Sequence, residues 1–256
     1  MKYWVVLPAA GRGERFGGPL PKQYEPLPGG LVIEHALAPF LRDGANGPCG
    51  VVVALGVSDT RFATLPVAAH PLVSTTLGGA SRAESVLAGL RAVSARGGTP
   101  EDWVLVHDAA RPCLGEEELA SLLAALGTPV GAAGGSLLAL PVADTVKRGE
   151  AFPSDAAMAI PGGASVTATV PRDGLWRALT PQAFRLGALT TALERALQHA
   201  AEPGGAAPTD EAAAMEALGV APVLVPGSPY NVKVTVPADL AFAATVLRSR
   251  KESSLG

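Results

Sequence analysis

The chain has 256 residues, 48% hydrophobic and 5% aromatic, with a formal net charge of −3. That length suits one large α/β domain with a sizeable core, and the charge leaves no global basic field for nucleic acid, so an anionic ligand must be met by local Arg and Lys clusters. Only two cysteines, Cys49 and Cys113, and four histidines without metal-ligand spacing (His35, His70, His107, His199) are present, which excludes a disulfide framework and a four-thiolate zinc site.

The first predicted element is a short apolar strand, Tyr3 to Leu7, running into Pro8-Ala9-Ala10-Gly11-Arg12-Gly13-Glu14-Arg15-Phe16 and then Pro21-Lys22-Gln23-Tyr24. A small-residue loop with two glycines, an arginine and a delayed lysine suits wrapping amides and cations around a polyphosphate. Following a strand, it lies at the carboxyl edge of a sheet, where open α/β folds bind ligands. It is not a Walker loop, because Lys22 is far past Gly13 and Gln23 follows it. It is not a dinucleotide fingerprint either, since Phe16 replaces the third small residue and Glu34 falls in a helical stretch. Alone, the loop reads equally well as a glycine-rich turn without a ligand. The opening apolar run is too short for a signal peptide and is broken by Pro8, and no apolar stretch approaches membrane-spanning length. The expectation is a soluble cytoplasmic protein with neither nucleic-acid nor membrane partners.

Next come a helix around Val32–Arg42, a strand at Gly50–Leu55, a short helix near Asp59–Leu65 and a weaker strand at Leu72–Leu77. Ser81–Ala95 is an amphipathic helix with Val86, Leu87, Leu90 and Val93 on one face and Ser81 as N-cap. A strand at Trp103–Val106, a helix at Glu116–Leu126 and a strand at Ser136–Pro141 follow. Such alternation, with continuously apolar strands, predicts a mostly parallel sheet covered on both faces. From Val142 to Arg172 the pattern breaks into Gly, Pro and alternating polar pieces, which reads as a hairpin arm. Beyond it are predicted a helix from Pro181 to about Gln198, a loop at Pro203–Pro208, a helix from Asp210 to Leu218, strands near Val223 and Val232, a helix after Pro237 and a solvated tail, Arg248–Gly256. No repeat or linker divides the chain. It reads as a single domain, 1–256, with an arm insertion at about 142–172.

Several constellations carry chemistry. Asp108, at the end of the Trp103–Val106 strand beside Ala109 and Ala110, suits a divalent cation bridging phosphates; a turn cap with a solvated Arg111 is the plainer reading. Gly78-Gly79-Ala80-Ser81 opens a helix and presents amides to a base or ribose, or is only a turn. Thr145, Lys147 and Arg172 at the feet of the arm offer a hydroxyl and cations to a phosphate, or a solvated hairpin. Thr180-Pro181-Gln182 and Thr209-Asp210-Glu211 read as helix starts, with Pro181 at the first helical position and Thr209 as cap. Asn231 and Lys233 share one face of a predicted strand, where an edge lysine is the alternative. A short-chain oxidoreductase lacks its Tyr-x-x-x-Lys pair here, and a serine hydrolase lacks its second glycine. A nucleotide-binding regulatory module would not need the distributed cations and Asp108.

Taken in order, the segments PAAGRGERF and PKQY (Pro8 to Tyr24), GG..R..SV.AGL (Gly78 to Leu90), VLVHDAARP (Val104 to Pro112), PV.DTVKR (Pro141 to Arg148), V.RDGLW.ALTPQ.F (Val170 to Phe184), TDEA..ME..G (Thr209 to Gly219) and N.KVT.P.DL (Asn231 to Leu240) span nearly the whole chain. They resemble the 2-C-methyl-D-erythritol 4-phosphate cytidylyltransferases of the non-mevalonate isoprenoid pathway, with VHDAARP and LTPQ the most specific pieces. The resemblance implies a three-layer, Rossmann-like nucleotidyltransferase fold with a protruding β-hairpin arm. It also implies transfer of CMP from CTP to methylerythritol phosphate with release of pyrophosphate, dependent on Mg²⁺ or another divalent cation. Arg15 and Lys22 would hold the triphosphate and Lys233 the charge at the α-phosphate. Pro8, Ala9, Ala10, Gly11, Gly79, Ser85, Asp108 and Ala109 would line the nucleotide, with Asp108 serving the metal. Arg111, Thr145, Arg172, Thr180, Thr209 and Lys233 would surround the alcohol phosphate. The arm would swap across a homodimer, bringing Thr145 and Arg172 to the partner's site. The chain departs from the family pattern at Ala80, at Tyr230 and in the length of Gly149–Ser165. A ribitol-5-phosphate cytidylyltransferase is the alternative within the same class.

Overall fold

A computed structural model of the chain describes residues 1–11, 16–17, 20–41, 47–150 and 164–253. Arg15 and residues 151–163 of the arm lie outside the described residues. The central strand, β1 (Tyr3–Ala9), is buried at every position except Pro8. Its alternation sends Tyr3, Val5, Leu7 and Ala9 to one face of the sheet and Trp4 and Val6 to the other. Two minor strands, β2 (Pro26–Leu27) and β3 (Gly30–Leu31), form a hairpin before helix α1 (Val32–Leu37). This helix is shorter than its sequence pattern suggests, because Pro39 diverts the chain into a 3₁₀ turn at Ala38–Phe40. After β4 (Val51–Leu55), the predicted short helix is a pair of 3₁₀ turns, Phe62–Thr64 and Pro66–Ala69, ahead of β5 (Val73–Leu77). Helix α2 (Arg82–Ala95) starts on a capping box in which Ser81 Oγ accepts from the Glu84 amide and Glu84 Oε2 accepts from the Ser81 amide.

Further on are β6 (Trp103–Val106), α3 (Glu116–Ala125), the short α4 (Pro129–Gly134), which the sequence did not suggest, and β7 (Ser136–Pro141). The arm contributes an antiparallel hairpin, β8 (Val146–Gly149) with β9 (Val166–Val170). Then comes the largest difference from the sequence reading. Pro181 does not start a helix: it lies within a ten-residue strand, β10 (Trp176–Arg185), and α5 (Leu186–Ala200) begins after it. The register of β10 against β7 shifts between Ala178 and Gln182, an irregularity that accommodates a residue with no N–H to give to the ladder. The Thr180–Pro181 peptide is cis. Helix α6 (Glu211–Glu216) is capped by Asp210, whose carboxylate accepts the Ala213 amide at 2.9 Å, and not by Thr209. Beyond β11 (Val223–Pro226), the strand expected near Val232 is extended chain without ladder pairing, tied by the Val234 amide to Ala110 O at 2.8 Å. Helix α7 (Pro237–Ser253) continues through most of what reads as a solvated tail.

Seven strands form the main sheet in the order β11-β7-β10-β6-β1-β4-β5. β10 runs antiparallel to both β6 and β7, whereas the other neighbouring pairs are parallel. Helices α1 and α3 pack on one face and α2, α5 and α6 on the other, with α7 against a smaller cluster around Cys113 and Val234. The result is a three-layer α/β fold around a mostly parallel sheet. Because β10 alone is reversed, its first half arrives at the carboxyl edge of the parallel strands, beside the end of β6. Among the described residues, no helix is long and apolar enough to cross a membrane.

Candidate active site

The loops leaving β1, β4 and β5 enclose a cleft of about 940 Å³, bordered among others by Ala9, Ala10, Gly11, Lys22, Gly79 and Thr235. Gln23 fixes its rim, donating from Nε2 to Ala9 O at 2.9 Å and to Gly11 O at 3.2 Å. Side chains are excluded where two loops meet: a Cβ on Gly78 would stand 2.7 Å from Ala10 Cβ and 2.8 Å from Ser85 Oγ. Ser85 does not point into the cleft. Its hydroxyl accepts the Gly79 amide at 3.1 Å and lies 2.9 Å from Ser81 O, so it shapes the Gly78–Gly79 turn from behind. Small residues and backbone line one side of the cleft, and Lys22, Tyr24, Asp59 and Arg61 add polar and charged groups to its border, a mixture suited to a polar, anionic ligand.

At the end of β6, charge concentrates on Asp108. Its Oδ1 accepts from Arg82, with Nε and Nη2 both at 3.0 Å. Its Oδ2 meets Lys233 Nζ at 2.8 Å and Arg111 Nε at 3.5 Å. The last contact is a charge contact only, and among the described residues Arg111 Nε has no hydrogen-bond partner, while Nη1 donates to Asn231 O at 2.7 Å. Burial alone would raise the Asp108 carboxyl, but Arg82, Lys233 and Arg111 hold it well below the usual carboxylate range. Lys233 is the half-exposed member. Its ammonium sits on a flexible four-carbon stem.

Behind Asp108 runs a second layer of polar contacts. The Asp108 amide donates to Thr180 Oγ1 at 3.1 Å, and Thr180 Oγ1 lies 3.0 Å from His107 Nδ1. His107 Nε2 is 3.1 Å from Arg111 O, an atom that only accepts. The proton therefore sits on Nε2, and Nδ1 accepts the threonine hydroxyl. Burial pushes this imidazole down to about 4, against the attraction of Asp108, so it is neutral near pH 7. Asn231 Nδ2 donates to Thr180 O at 2.9 Å, and Glu118 Oε1 takes the Ser228 amide at 2.8 Å beside it.

The structure therefore brings Asp108, Arg111, Thr180 and Lys233 into one cluster, with Ala109 buried next to Asp108, and places Ala9, Ala10, Gly11, Lys22 and Gly79 at the cleft. Pro8, half-buried in β1, precedes that loop. Asn231 and Lys233 do not share a strand face: Asn231 is fully enclosed, while Lys233 reaches the rim. Thr209 is exposed in the loop before α6. Thr145 and Arg172 stand exposed at the base of the arm, where Arg172 Nη1 donates to Ala143 O. Among the described residues, no hydrogen bond or ion pair joins either to the Asp108 cluster. Two members of the cluster, Arg82 and Glu211, escape the sequence reading. Both lie inside the quoted segments, but nothing local in the sequence reveals that they meet.

No group of three or more His, Cys, Asp or Glu side chains among the described residues is arranged to hold a metal. Asp108 Oδ2, held by Lys233 and close to Arg111, is the carboxylate oxygen that a cation would share. Mg²⁺ is commonly held by one or two carboxylates plus substrate phosphates, so the donor set fits a cation that arrives with a nucleotide.

A model of the 2-C-methyl-D-erythritol 4-phosphate cytidylyltransferase family matches residues 3–249. The chain is 48% identical over 256 residues to the protein of that name from Acidithiobacillus ferrooxidans, covering 98% of both chains. It is 46% identical over 243 residues to the one from Cronobacter sakazakii, covering 95% of this chain and 92% of that one. A crystal structure of a 4-diphosphocytidyl-2C-methyl-D-erythritol synthase superposes with a TM-score of 0.75 at 38% identity over 96% of this chain and 98% of that one. The 2-C-methyl-D-erythritol 4-phosphate cytidylyltransferase of Francisella tularensis gives 0.74 at 29% identity over 96% and 100%.

Proposed function

The chain belongs to the 2-C-methyl-D-erythritol 4-phosphate cytidylyltransferase family, and we infer that it transfers CMP from CTP to 2-C-methyl-D-erythritol 4-phosphate. The products are 4-diphosphocytidyl-2-C-methyl-D-erythritol and pyrophosphate. The ribitol-phosphate reading is not favoured, because the full-length match is to the methylerythritol family. The observation that carries the reaction is the cluster of Asp108, Arg111 and Lys233 at the sheet edge, beside a cleft bordered by the small-residue loop Ala9–Gly11 and by Lys22.

A phosphate oxygen of the alcohol phosphate attacks the α-phosphorus of CTP in line. The new P–O bond forms as the bond to the β-phosphate bridging oxygen breaks, and pyrophosphate leaves with that electron pair. No protein nucleophile is needed, so the protein's part is positioning and charge stabilisation. Lys22 on the cleft border, with Arg15, holds the triphosphate. Lys233 moves from Asp108 Oδ2 onto the α-phosphate, where charge develops. Asp108 is the residue that would hold a divalent cation, which would neutralise phosphate charge. Arg111 and Thr209 face the alcohol phosphate. Thr180 supports Asp108 from behind rather than offering a free hydroxyl.

We further propose a homodimer in which the arm, exposed along β8 and β9, lends Thr145 and Arg172 to the partner's site, in a cytoplasmic protein whose two cysteines stay free. One domain, 1–256, with this arm inserted at about 142–172 completes the proposal. Pyrophosphate release with CTP, ATP, GTP and UTP, each offered methylerythritol phosphate or ribitol phosphate with and without Mg²⁺, tests the reaction. Release only with CTP, methylerythritol phosphate and Mg²⁺ is expected, and no release with CTP and either alcohol would reject the assignment. A strictly monomeric active enzyme in sedimentation would remove the arm's role.

A further inference from the structure

Arg82 and Glu211 are 129 residues apart, and the reaction as described gives neither a task. Yet Arg82 Nη1 donates to Glu211 Oε1 at 2.7 Å and Nη2 to Oε2 at 3.0 Å, a two-pronged contact around a completely buried carboxylate. Complete burial pushes the Glu211 carboxyl upward against the pull of Arg82, and the two-oxygen geometry is that of an ionised pair. The same guanidinium continues to Asp108 Oδ1 through Nε and Nη2. A planar fork engaged on two edges fixes the mutual orientation of both carboxylates.

Placement gives the pair its meaning. Arg82 is the first residue of α2, three residues past Gly79 in the turn that borders the cleft. Glu211 is the first residue of α6, directly after the Thr209 loop. With Oδ1 of Asp108 taken by Arg82, Oδ2 is the oxygen left to face Lys233. Stability alone does not account for such a pair, since apolar residues of similar volume commonly serve as well in a buried position. Its third partner is the carboxylate at the reaction centre.

We propose that Arg82 and Glu211 are positioning residues for cytidylyl transfer: Glu211 locks Arg82, Arg82 turns Asp108 Oδ2 toward the reacting phosphates, and the clamp sets the spacing between the nucleotide and alcohol-phosphate halves of the site. The proposal rests on the reading of this site as a cytidylyltransferase centre.

Three variants test it: Arg82→Lys, which keeps charge but loses the fork; Glu211→Gln; and the double variant Arg82→Met with Glu211→Leu, which restores an apolar fit. Each is measured for kcat, for KM of both substrates, for melting temperature, and by calorimetry for binding of unreactive α,β-methylene CTP with and without methylerythritol phosphate. All three should lose on the order of 100-fold in kcat, with both KM values within about threefold of wild type. In wild type the alcohol phosphate should tighten binding of the analogue, and that coupling should vanish in the variants. A double variant that melts like wild type and turns over like it would overturn the proposal, as would wild-type kcat in Arg82→Lys should the double variant fail to fold. If wild-type protein binds neither ligand, the cytidylyltransferase reading itself fails and the proposal with it.

Discussion

Replacing Thr180 by Val separates a supporting role for that residue from direct contact with substrate. Its side chain is 4% exposed, and its hydroxyl takes the Asp108 amide at 3.1 Å and meets His107 Nδ1 at 3.0 Å. Valine keeps the shape and the β-branch while leaving an amide and an imidazole nitrogen buried without their partner. Each such orphan costs about 1–3 kcal/mol, so the change should destabilise by about 2–6 kcal/mol. For a domain of this size that corresponds to a fall in Tm of roughly 4–24 °C. Thr180→Ser keeps the hydroxyl and should lose only about 1 kcal/mol for its methyl group. Scanning calorimetry and denaturant titration measure both variants, with kcat and KM alongside. If Thr180→Val lies within about 0.5 kcal/mol of wild type while KM for methylerythritol phosphate rises steeply, the hydroxyl serves the substrate and the supporting role is wrong.

Cys49 is exposed and Cys113 buried, with burial pushing the Cys113 thiol up to about 11. Only the thiolate attacks a disulfide reagent, so Ellman's reagent at pH 8 should titrate one thiol quickly and the second only in denaturant; two fast thiols would contradict this packing. Burial pushes the Asp102 carboxyl up, but Lys2 at 2.8 Å, the Thr99 amide and the Trp4 indole outweigh it and leave it below its ordinary value. A depressed carboxylate contributes stability above its unfolded pKa and loses it as pH falls through the folded one. Asp102→Asn should therefore flatten the loss of stability on acidification below about pH 4; an unchanged slope would show the pair to be idle. Gly135 has φ of 78°, and a Cβ there would stand 2.4 Å from Phe184 Cδ1 and 2.5 Å from Ala183 O. Gly135→Ala should cost at least about 2 kcal/mol in denaturant unfolding, and a neutral result would place that turn differently.

The β-α alternation of the first half was legible because its strands are buried on both faces and its helices carry capping signals such as Ser81 with Glu84. Reversal of the strand after the arm was not legible. Pro181 looks like a helix start, and only pairing with β6 and β7, set by residues some 40 to 80 positions away, reveals a strand that bends around it. The segment at Asn231–Lys233 resembles a strand because it is extended, yet its backbone is held by a turn and by Ala110, and local pattern cannot tell one extended partner from another. Asp108 stands out in the sequence by its place at a strand end. Its cations come from positions 82, 111 and 233, and only Arg111 is near enough in sequence to be read with it. Arg82 and Glu211 look like ordinary helix-start residues, because burial of a long-range pair leaves no local signature.

The reversed strand also decides where the molecule tolerates change. β7 leaves the sheet at Pro141 and β10 returns at Trp176, and these two residues are paired. The arm therefore stands on adjacent feet, like a branch grafted at one node, and its length is uncoupled from the layers beneath. Doubling such an insertion adds only about 0.6 kcal/mol of closure entropy. The long Gly149–Ser165 stretch is the kind of variation this junction permits: reach can be retuned between lineages, or by an engineer exchanging whole arms, while the strands that carry Asp108 and Thr180 keep their register.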